Sequence, residues 1–353
     1  MRALIFGVAG QDGSYLAEFL LSKGYDVLGA TRFHASDGVG PHLALAVNQG
    51  MSLTNIDLLD ASNVLEVVAR FHPDEVYNLA AQSYVGSSWD APSYVLGVNT
   101  VGVSTILEAC RVVSKDIRIY QASSSEMYGN RLGSPTQTLD TMLMADDLMV
   151  PRSPYGISKL GAHHLCRVYR ESHGMFAVGG ICFNHESERR GLQFVTRKVT
   201  MGMALVKAGR ADKFPIGTLD ACRDWGYAAE YVVGMWKMLQ QETPKDYVLA
   251  TGVSHSVREL VNVAALAMDM PKPGEEYVEV VPSLIRPAEI WRLVGDTLPA
   301  RQGLGWEAKV GFEELIGIMA EADLARLGMP PVTIRKPYTE LEAWSASGPS
   351  TAE

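Results

Sequence analysis

The chain lacks most features that would mark it for a membrane, a nucleic acid or a metal. No apolar run approaches the ~20 residues that span a bilayer. The N-terminal run in "MRALIFGVAGQDG" stops at Gly7, too soon for a secretory leader. Cysteine is sparse, with four residues in 353: Cys110, Cys166, Cys182 and Cys222. None forms a C-x-x-C pair or a zinc-like spacing with histidine, so free thiols and no bound metal are expected. That usage suits a reducing compartment, and the expected location is the cytoplasm. Basic residues are outnumbered, 31 Lys+Arg against 40 Asp+Glu, for a net charge of −9. Such a balance disfavours a nucleic-acid or anionic-membrane partner, which would need a basic face. It leaves room for a local basic pocket around a phosphorylated small molecule. No internal repeat is found.

What is present is an alternation. "RALIFG" reads as a strand, "SYLAEFLLSKG" as a helix ending at Gly24, and "YDVLGA" as a second strand. "MSLTNIDLLD" ends a third strand, "NVLEVVARF" is a helix and "DEVYNLA" a fourth strand. A long helix from about Pro92 to Val113 precedes "IRIYQAS". Apolar strands alternating with helices predict an α/β fold, a Rossmann-like doubly wound parallel sheet. From Ala211 the rhythm is irregular. This predicts a smaller, interleaved C-terminal α/β substrate lobe. The expected division is 1–182 for the cofactor domain, with part of 211–255 returning to it, and 183–329 mainly for the substrate lobe. The polar stretch 330–353 reads as a flexible tail.

Gly7, Gly10 and Gly13 fall between the first strand and the first helix. There glycines allow a tight turn and close backbone approach to a pyrophosphate, and the helix start supplies amide donors. The alternative is a merely structural turn. Gln11 and Asp12 belong to the same segment. The end of the second strand, "GATRFHAS", offers Arg32 and no carboxylate, which favours NADP over NAD. Asp57 and Leu58 are candidates to cover the adenine. Leu79, Ala80, Ala81, Gln82 and Ser83, ending the fourth strand, are candidates for the cofactor's middle. "SPYGISK" places Tyr155 and Lys159 four residues apart on one helix face. A neighbouring ammonium and a positive nicotinamide would lower the phenol's pKa, fitting Tyr155 as a base. Ser124 can share the substrate oxygen. Two residues beyond it, Glu126 is a carboxylate where a buried strand should be ending. Strand alternation would put it on the same side as Ser124.

Together these elements resemble the extended short-chain dehydrogenase/reductase superfamily. "GVAGQDGSYLAEFLLSKGY", "YNLAAQSYV", "YQASSSEMYG", "RSPYGISK", "FNHESERRG", "FVTRKVT", "LDACRDWGYAAEYV", "ATGVSHSVRE" and "RPAE" appear in that order, as far as about Trp306. In that order they resemble the GDP-mannose 4,6-dehydratase family. The resemblance implies an NADP-dependent hydro-lyase acting on a GDP-sugar. Tyr155 would take the C4 hydroxyl proton and Glu126 the C5 proton, water would leave from C6, and the product would be a 4-keto-6-deoxy sugar nucleotide. It implies that Ser125, Asn184, Lys198, Arg223, Arg286, Glu289 and Ser83 surround the sugar nucleotide, and that Tyr94, His185 and Arg190 lie near the cofactor. Arg189 and Arg197 complete the basic cluster of these motifs.

The chain departs from the family in places. Ser124 replaces a threonine, Phe6 precedes Gly7 in place of threonine, and Glu188 stands where the family has proline. The segment after Arg32 lacks the serine- and arginine-rich stretch that many members use to build a tetramer. A homodimer through the long helices is expected, with a tetramer as the alternative. The stretch before Pro154 carries an added "DTMLMADDLM" beside the expected mouth of the site. Three readings follow: a GDP-mannose 4,6-dehydratase, a dehydratase or epimerase of another GDP-sugar such as a heptose, and a non-catalytic nucleotide-sugar or NADP binder.

Overall fold

The computed structural model describes residues 1–32, 41–130 and 142–330. Most of the tail, and part of the inserted stretch, therefore lie outside the described residues. β1 (Arg2–Phe6) is buried from Ala3 onward, as a strand covered on both faces must be. It leads through the glycine turn into α1 (Gln11–Ser22) and back to β2 (Asp26–Thr31). The alternation continues through α2 (Pro41–Asn48), β3 (Ser52–Asn55), α3 (Ala61–Phe71) and β4 (Glu75–Asn78). Asp60 caps α3 by accepting from the amides of Ser62 and Asn63. α4 (Pro92–Leu96) passes through a π-helical turn, Gly97–Val101, into α5 (Gly102–Val113). β5 (Arg118–Ser124), α6 (Pro154–His173) and β6 (Ala177–Cys182) follow.

The second half is more broken. β7 (Asn184–Glu186), α7 (Val195–Lys207), β8 (Phe214–Ile216), β9 (Cys222–Arg223) and β10 (Trp225–Tyr227) precede α8 (Ala228–Leu239) and β11 (Tyr247–Leu249). β12 (His255–Ser256), α9 (Val257–Ala267), β13 (Val278–Val280), α10 (Leu298–Leu304) and α11 (Phe312–Arg326) complete it.

Seven strands form one sheet in the order β11–β6–β5–β4–β1–β2–β3, every neighbouring pair parallel. The chain reverses direction across the sheet between β1 and β4, which opens a crevice at the C-terminal strand ends. One apolar core lies under α3, α5 and α6. The other runs under α1 and α8 and on into α9 and α11. Thus α8 and β11 are built into the sheet domain, although they follow β7 to β10 in sequence.

Two sequence readings need correction. Pro92–Val113 forms one helical rod of 22 residues, within which an 18-residue window has a mean hydropathy of 1.3, long and apolar enough by length and composition to cross a membrane. Gly, Ser, Thr and Asn interrupt the apolar run in sequence without breaking the helix. The rod packs against α3 and α6 in the sheet's outer layer. Glu126, in turn, is not on a strand. β5 ends at Ser124, and Ser125–Met127 is a 3-10 turn whose Glu126 amide donates to Ser124 Oγ at 3.2 Å. Strand alternation does not apply past Ser124, and the turn sets the direction of the carboxylate instead.

Candidate active site

The glycine turn is fixed by contact as well as by conformation. Gly7 has a φ of 81°, and a Cβ there would lie 2.6 Å from Ala80 N at the end of β4. A Cβ at Gly13 would lie 2.4 Å from Gly7 O, so α1 packs directly on the turn. Gly10 starts α1 with no side-chain cap, leaving the first helical amides facing the cavity. At Gly10 a Cβ would meet only Gly7 O, at 3.3 Å, so the glycine leaves space for a ligand rather than for protein. This cradle fits the pyrophosphate of a dinucleotide.

A cavity of about 520 Å³ extends from the turn along the strand ends. Gln11 and Asp12 line it beside the glycines. Arg32, Asp57, Leu58 and Tyr94 line one end, where Arg32 Nη1 donates to Tyr94 Oη at 2.7 Å. The wall continues through Leu79, Ala80, Ala81, Gln82 and Ser83 to Ser124, Ser125, Glu126, Tyr155 and Lys159. Asn184, His185, Arg190 and Arg286 close the other side. The structure therefore gathers all the expected cofactor residues on one surface. Lys198, Arg223 and Glu289 do not reach it. Arg223 is buried in β9, where Nη2 donates to Glu289 Oε1 at 3.1 Å and Nη1 to Ile290 O at 2.7 Å.

Local sequence explains how the reactive groups are aimed. Ser153 caps α6 by accepting from Gly156 N at 3.0 Å, and Pro154 occupies the first turn. A Cβ on Gly156 would lie 2.8 Å from Glu126 O, so glycine lets the start of α6 close on the Glu126 turn. Tyr155 is thereby held against Ser124. Burial pushes the phenol up to about 12; the hydrogen bond to Ser124 and the charge of Arg190 oppose this, while the charge of Glu126 adds to it. In the ligand-free chain this burial outweighs the lowering groups and the phenol is raised. Burial brings Lys159 itself down to about 8, its Nζ donates to Ala122 O at 2.8 Å, and it stands 5.8 Å from the Tyr155 ring centre.

The arginines of the basic cluster read from the sequence are in fact all in ion pairs. Arg189 binds Glu18 at 2.8 Å, Arg190 binds Glu186 at 3.0 Å and Arg197 binds Asp323 at 2.7 Å. Arg286 Nη1 meets Glu126 Oε1 at 3.2 Å. Of these arginines only Arg190 and Arg286 face the cavity. His185 pairs with Asp12 at 2.9 Å, bonds Phe183 O at 2.7 Å and stacks on Tyr231. Burial lowers His185, but Asp12 outweighs it and raises the imidazole above its ordinary value. Glu188, in the family's proline position, accepts from Tyr15 Oη at 2.6 Å.

Two positioning residues escaped the sequence reading. Asn99, in the π-helical turn, accepts from Gln82 N at 2.8 Å and donates to Ser158 Oγ at 3.0 Å, tying the β4 loop to α6. Its only signal was an amide within an apolar run. Asp224 of "RDWG" is fully buried and accepts from Thr251 N, Thr251 Oγ1, Gly252 N and Gly295 N. It clamps the end of β11 to the segment that follows Arg286.

A doubly wound sheet with a dinucleotide cradle and a Ser–Tyr–Lys set at its switch point defines the short-chain dehydrogenase/reductase class, in its extended form with a C-terminal lobe. Within that class the chain belongs to the GDP-mannose 4,6 dehydratase family, which it matches over residues 4–319. It is 44% identical over 335 residues to GDP-mannose 4,6 dehydratase 2 of Arabidopsis thaliana, covering 91% of this chain and 86% of that one. It is 40% identical over 352 residues to GDP-mannose 4,6 dehydratase of Homo sapiens, covering 93% of each chain. Among solved structures it resembles the UDP-glucose 4-epimerase of Thermus thermophilus in complex with NAD, with a TM-score of 0.78 and 26% identity over 92% of this chain and 99% of that one.

Proposed function

We propose that the protein is a hydro-lyase that converts GDP-mannose to its 4-keto-6-deoxy derivative, using a nicotinamide cofactor in an internal redox cycle. The observation that carries this reading is that Ser124, Glu126 and Tyr155 share one cavity wall with the glycine cradle. A 4-epimerase needs only the Ser–Tyr–Lys set; a second acid/base beside it serves elimination. A nicotinamide cofactor held along the glycine cradle would supply the hydride acceptor for C4 and the hydride donor for C6. Tyr155 accepts the C4 hydroxyl proton while Ser124 holds the same oxygen. Glu126 accepts the proton from C5 as the C6 hydroxyl departs as water. Arg286 and Asn184 face the sugar nucleotide, and Lys159 fixes the end of β5 through Ala122 O.

Arg32 at the adenine end, in a sequence segment after β2, Gly29 to Ser36, that holds no carboxylate, supports NADP over NAD. The wild type should bind NADP more tightly than NAD, and Arg32→Asp should reverse that order; equal affinities in the wild type would refute it. Val101, Val112, Ile157 and Val168 leave exposed apolar surface along the Pro92–Val113 rod and α6. That surface supports a homodimer through those helices. Four free cysteines support a cytoplasmic location. Residues 183–329, less the α8–β11 return, serve as the substrate lobe.

Incubation with GDP-mannose, followed by mass spectrometry of the sugar nucleotide, tests the activity. Loss of one water is expected. Unchanged mass with altered stereochemistry would indicate an epimerase, and no change at all would refute both. One observation favours a second reading, a GDP-sugar other than mannose such as a GDP-heptose. The described part of the insert is tied on two sides: Leu143 N donates to Val294 O at 3.0 Å, in the segment following Arg286, and Tyr128 Oη, just past Glu126, donates to Met144 O at 2.6 Å. A change there can move the residue facing the sugar nucleotide.

A further inference from the structure

Glu126 and Arg286 make an ion pair across the cavity where the reading above requires both to work separately. The base must receive a proton from carbon, and the guanidinium must meet a diphosphate. Their contact is a single bond, Nη1 to Oε1 at 3.2 Å. Its two ends differ in freedom. The Glu126 side chain is 11% exposed on a tight 3-10 turn, whereas that of Arg286 is 30% exposed on an irregular segment. Behind them Arg223 is buried and held by Glu289, Ile290 O and Cys222 O, and it does not line the cavity. Arg286 is thus the cation on the cavity wall in reach of Glu126 that has room to turn.

Resting on the dehydratase reading, we infer that Arg286 is a substrate-operated latch on the base: it is held by Glu126 until a nucleotide diphosphate draws it away, and only then is the carboxylate free to take the C5 proton. Phosphate oxygens compete well for a guanidinium, because they offer bidentate, charge-assisted bonds in place of one bond to a carboxylate. The latch leaves the base covered in the ligand-free enzyme. It also couples diphosphate recognition to proton abstraction. Arg286 then acts as a positioning residue for Glu126 as well as a contact for the ligand.

The latch has a consequence that a plain base lacks. If Glu126 competes for Arg286, removing its charge must strengthen diphosphate binding. The test is titration calorimetry with GDP, using the full chain loaded with its nicotinamide cofactor, on wild type, Glu126→Gln, Arg286→Met and the double variant. Glu126→Gln should bind GDP about threefold to fivefold more tightly than wild type, the scale of the ionic part of one partly solvated contact. In the Arg286→Met background the same change should have no effect, since the competition has lost its object. Equal tightening in both backgrounds would mean direct repulsion between Glu126 and the phosphates, and would overturn the latch. So would no tightening in either, because Arg286 would then serve both groups at once. If wild type fails to bind GDP at all, the sugar-nucleotide reading falls, and the latch with it. Unchanged far-UV circular dichroism in the variants keeps the comparison on folded protein.

Discussion

Replacing Glu126 by glutamine separates catalysis from structure at the centre of the site. The substitution keeps the shape and the amide bond to Ser124 Oγ, which belongs to the backbone. The substituted side chain can still accept from Arg286, so only the ionic part of one 3.2 Å contact is lost. With Arg286 partly solvated, that loss is about 1 kcal/mol or less. Thermal midpoint should therefore move by only a few degrees, if at all. The chemical effect is far larger. A general base contributes roughly 10²–10⁴-fold in rate, so release of the 6-deoxy product should fall by that factor. Oxidation at C4 does not use this carboxylate, so reduced cofactor should still form on mixing with GDP-mannose. The assay is carried out in deuterium oxide, with mass spectrometry of the sugar for wild type and variant side by side. Wild type should incorporate deuterium at C5, and Glu126→Gln should not. Near-normal incorporation and turnover in the variant would refute the assignment and leave Glu126 as a mere partner of Arg286.

Three further outcomes are expected. Tyr155→Phe should abolish formation of reduced cofactor while leaving GDP affinity within about twofold, because only the phenol oxygen that meets Ser124 is lost; wild-type reduction rates would disprove its role. Asp323→Ala should cost about 3–5 kcal/mol in denaturant unfolding, since Asp323 is fully buried and its loss strands the buried Arg197 guanidinium. Turnover per folded molecule should hold, and a loss under about 1 kcal/mol would show the pair to be dispensable. The Asp12–His185 pair should make stability depend on pH. Burial raises Asp12, but His185, Gln11 and Arg190 outweigh it and bring the carboxyl down to about 2, while His185 is raised. The contribution of Asp12 is complete above the unfolded carboxyl value near ~4 and fades as pH falls toward 2. The contribution of His185 is complete below about 6.5 and fades as pH rises through its raised value. The thermal advantage of wild type over His185→Gln should therefore be greater at about pH 5.5 than at about pH 8.5; an advantage that grows with pH would contradict the pair.

Much of this protein was legible along the chain, for identifiable reasons. The sheet strands and the helices between them announce themselves by local periodicity, because a strand buried on both faces must be apolar throughout. The glycine turn was readable because its constraints, a positive φ at Gly7 and the packing of α1, are met by residue type alone. "SPYG" likewise encodes its own helix start in Ser153 and Pro154. Each of these features leaves its mark in residue type or local periodicity, and can be judged from a few neighbouring residues even where a distant contact, such as Gly7 against Ala80, completes it.

Tertiary structure decided what depends on distant partners. Whether an arginine is a ligand or a strut cannot be read from its motif. Arg197 and Arg223 are neutralised by Asp323 and Glu289, far along the chain, whereas Arg190 and Arg286 reach the cavity. The direction of Glu126 follows from where β5 ends and α6 closes on it, a contact between segments some 30 residues apart in sequence. Tyr155 and Lys159 are adjacent on their helix by sequence, yet burial sets the phenol's acidity and Ala122 O takes the ammonium. The sequence determined the types of reactive group and the elements that bear them. Their pairing, burial and protonation came from packing, because electrostatic energies depend on distance through space and on the solvent that folding removes.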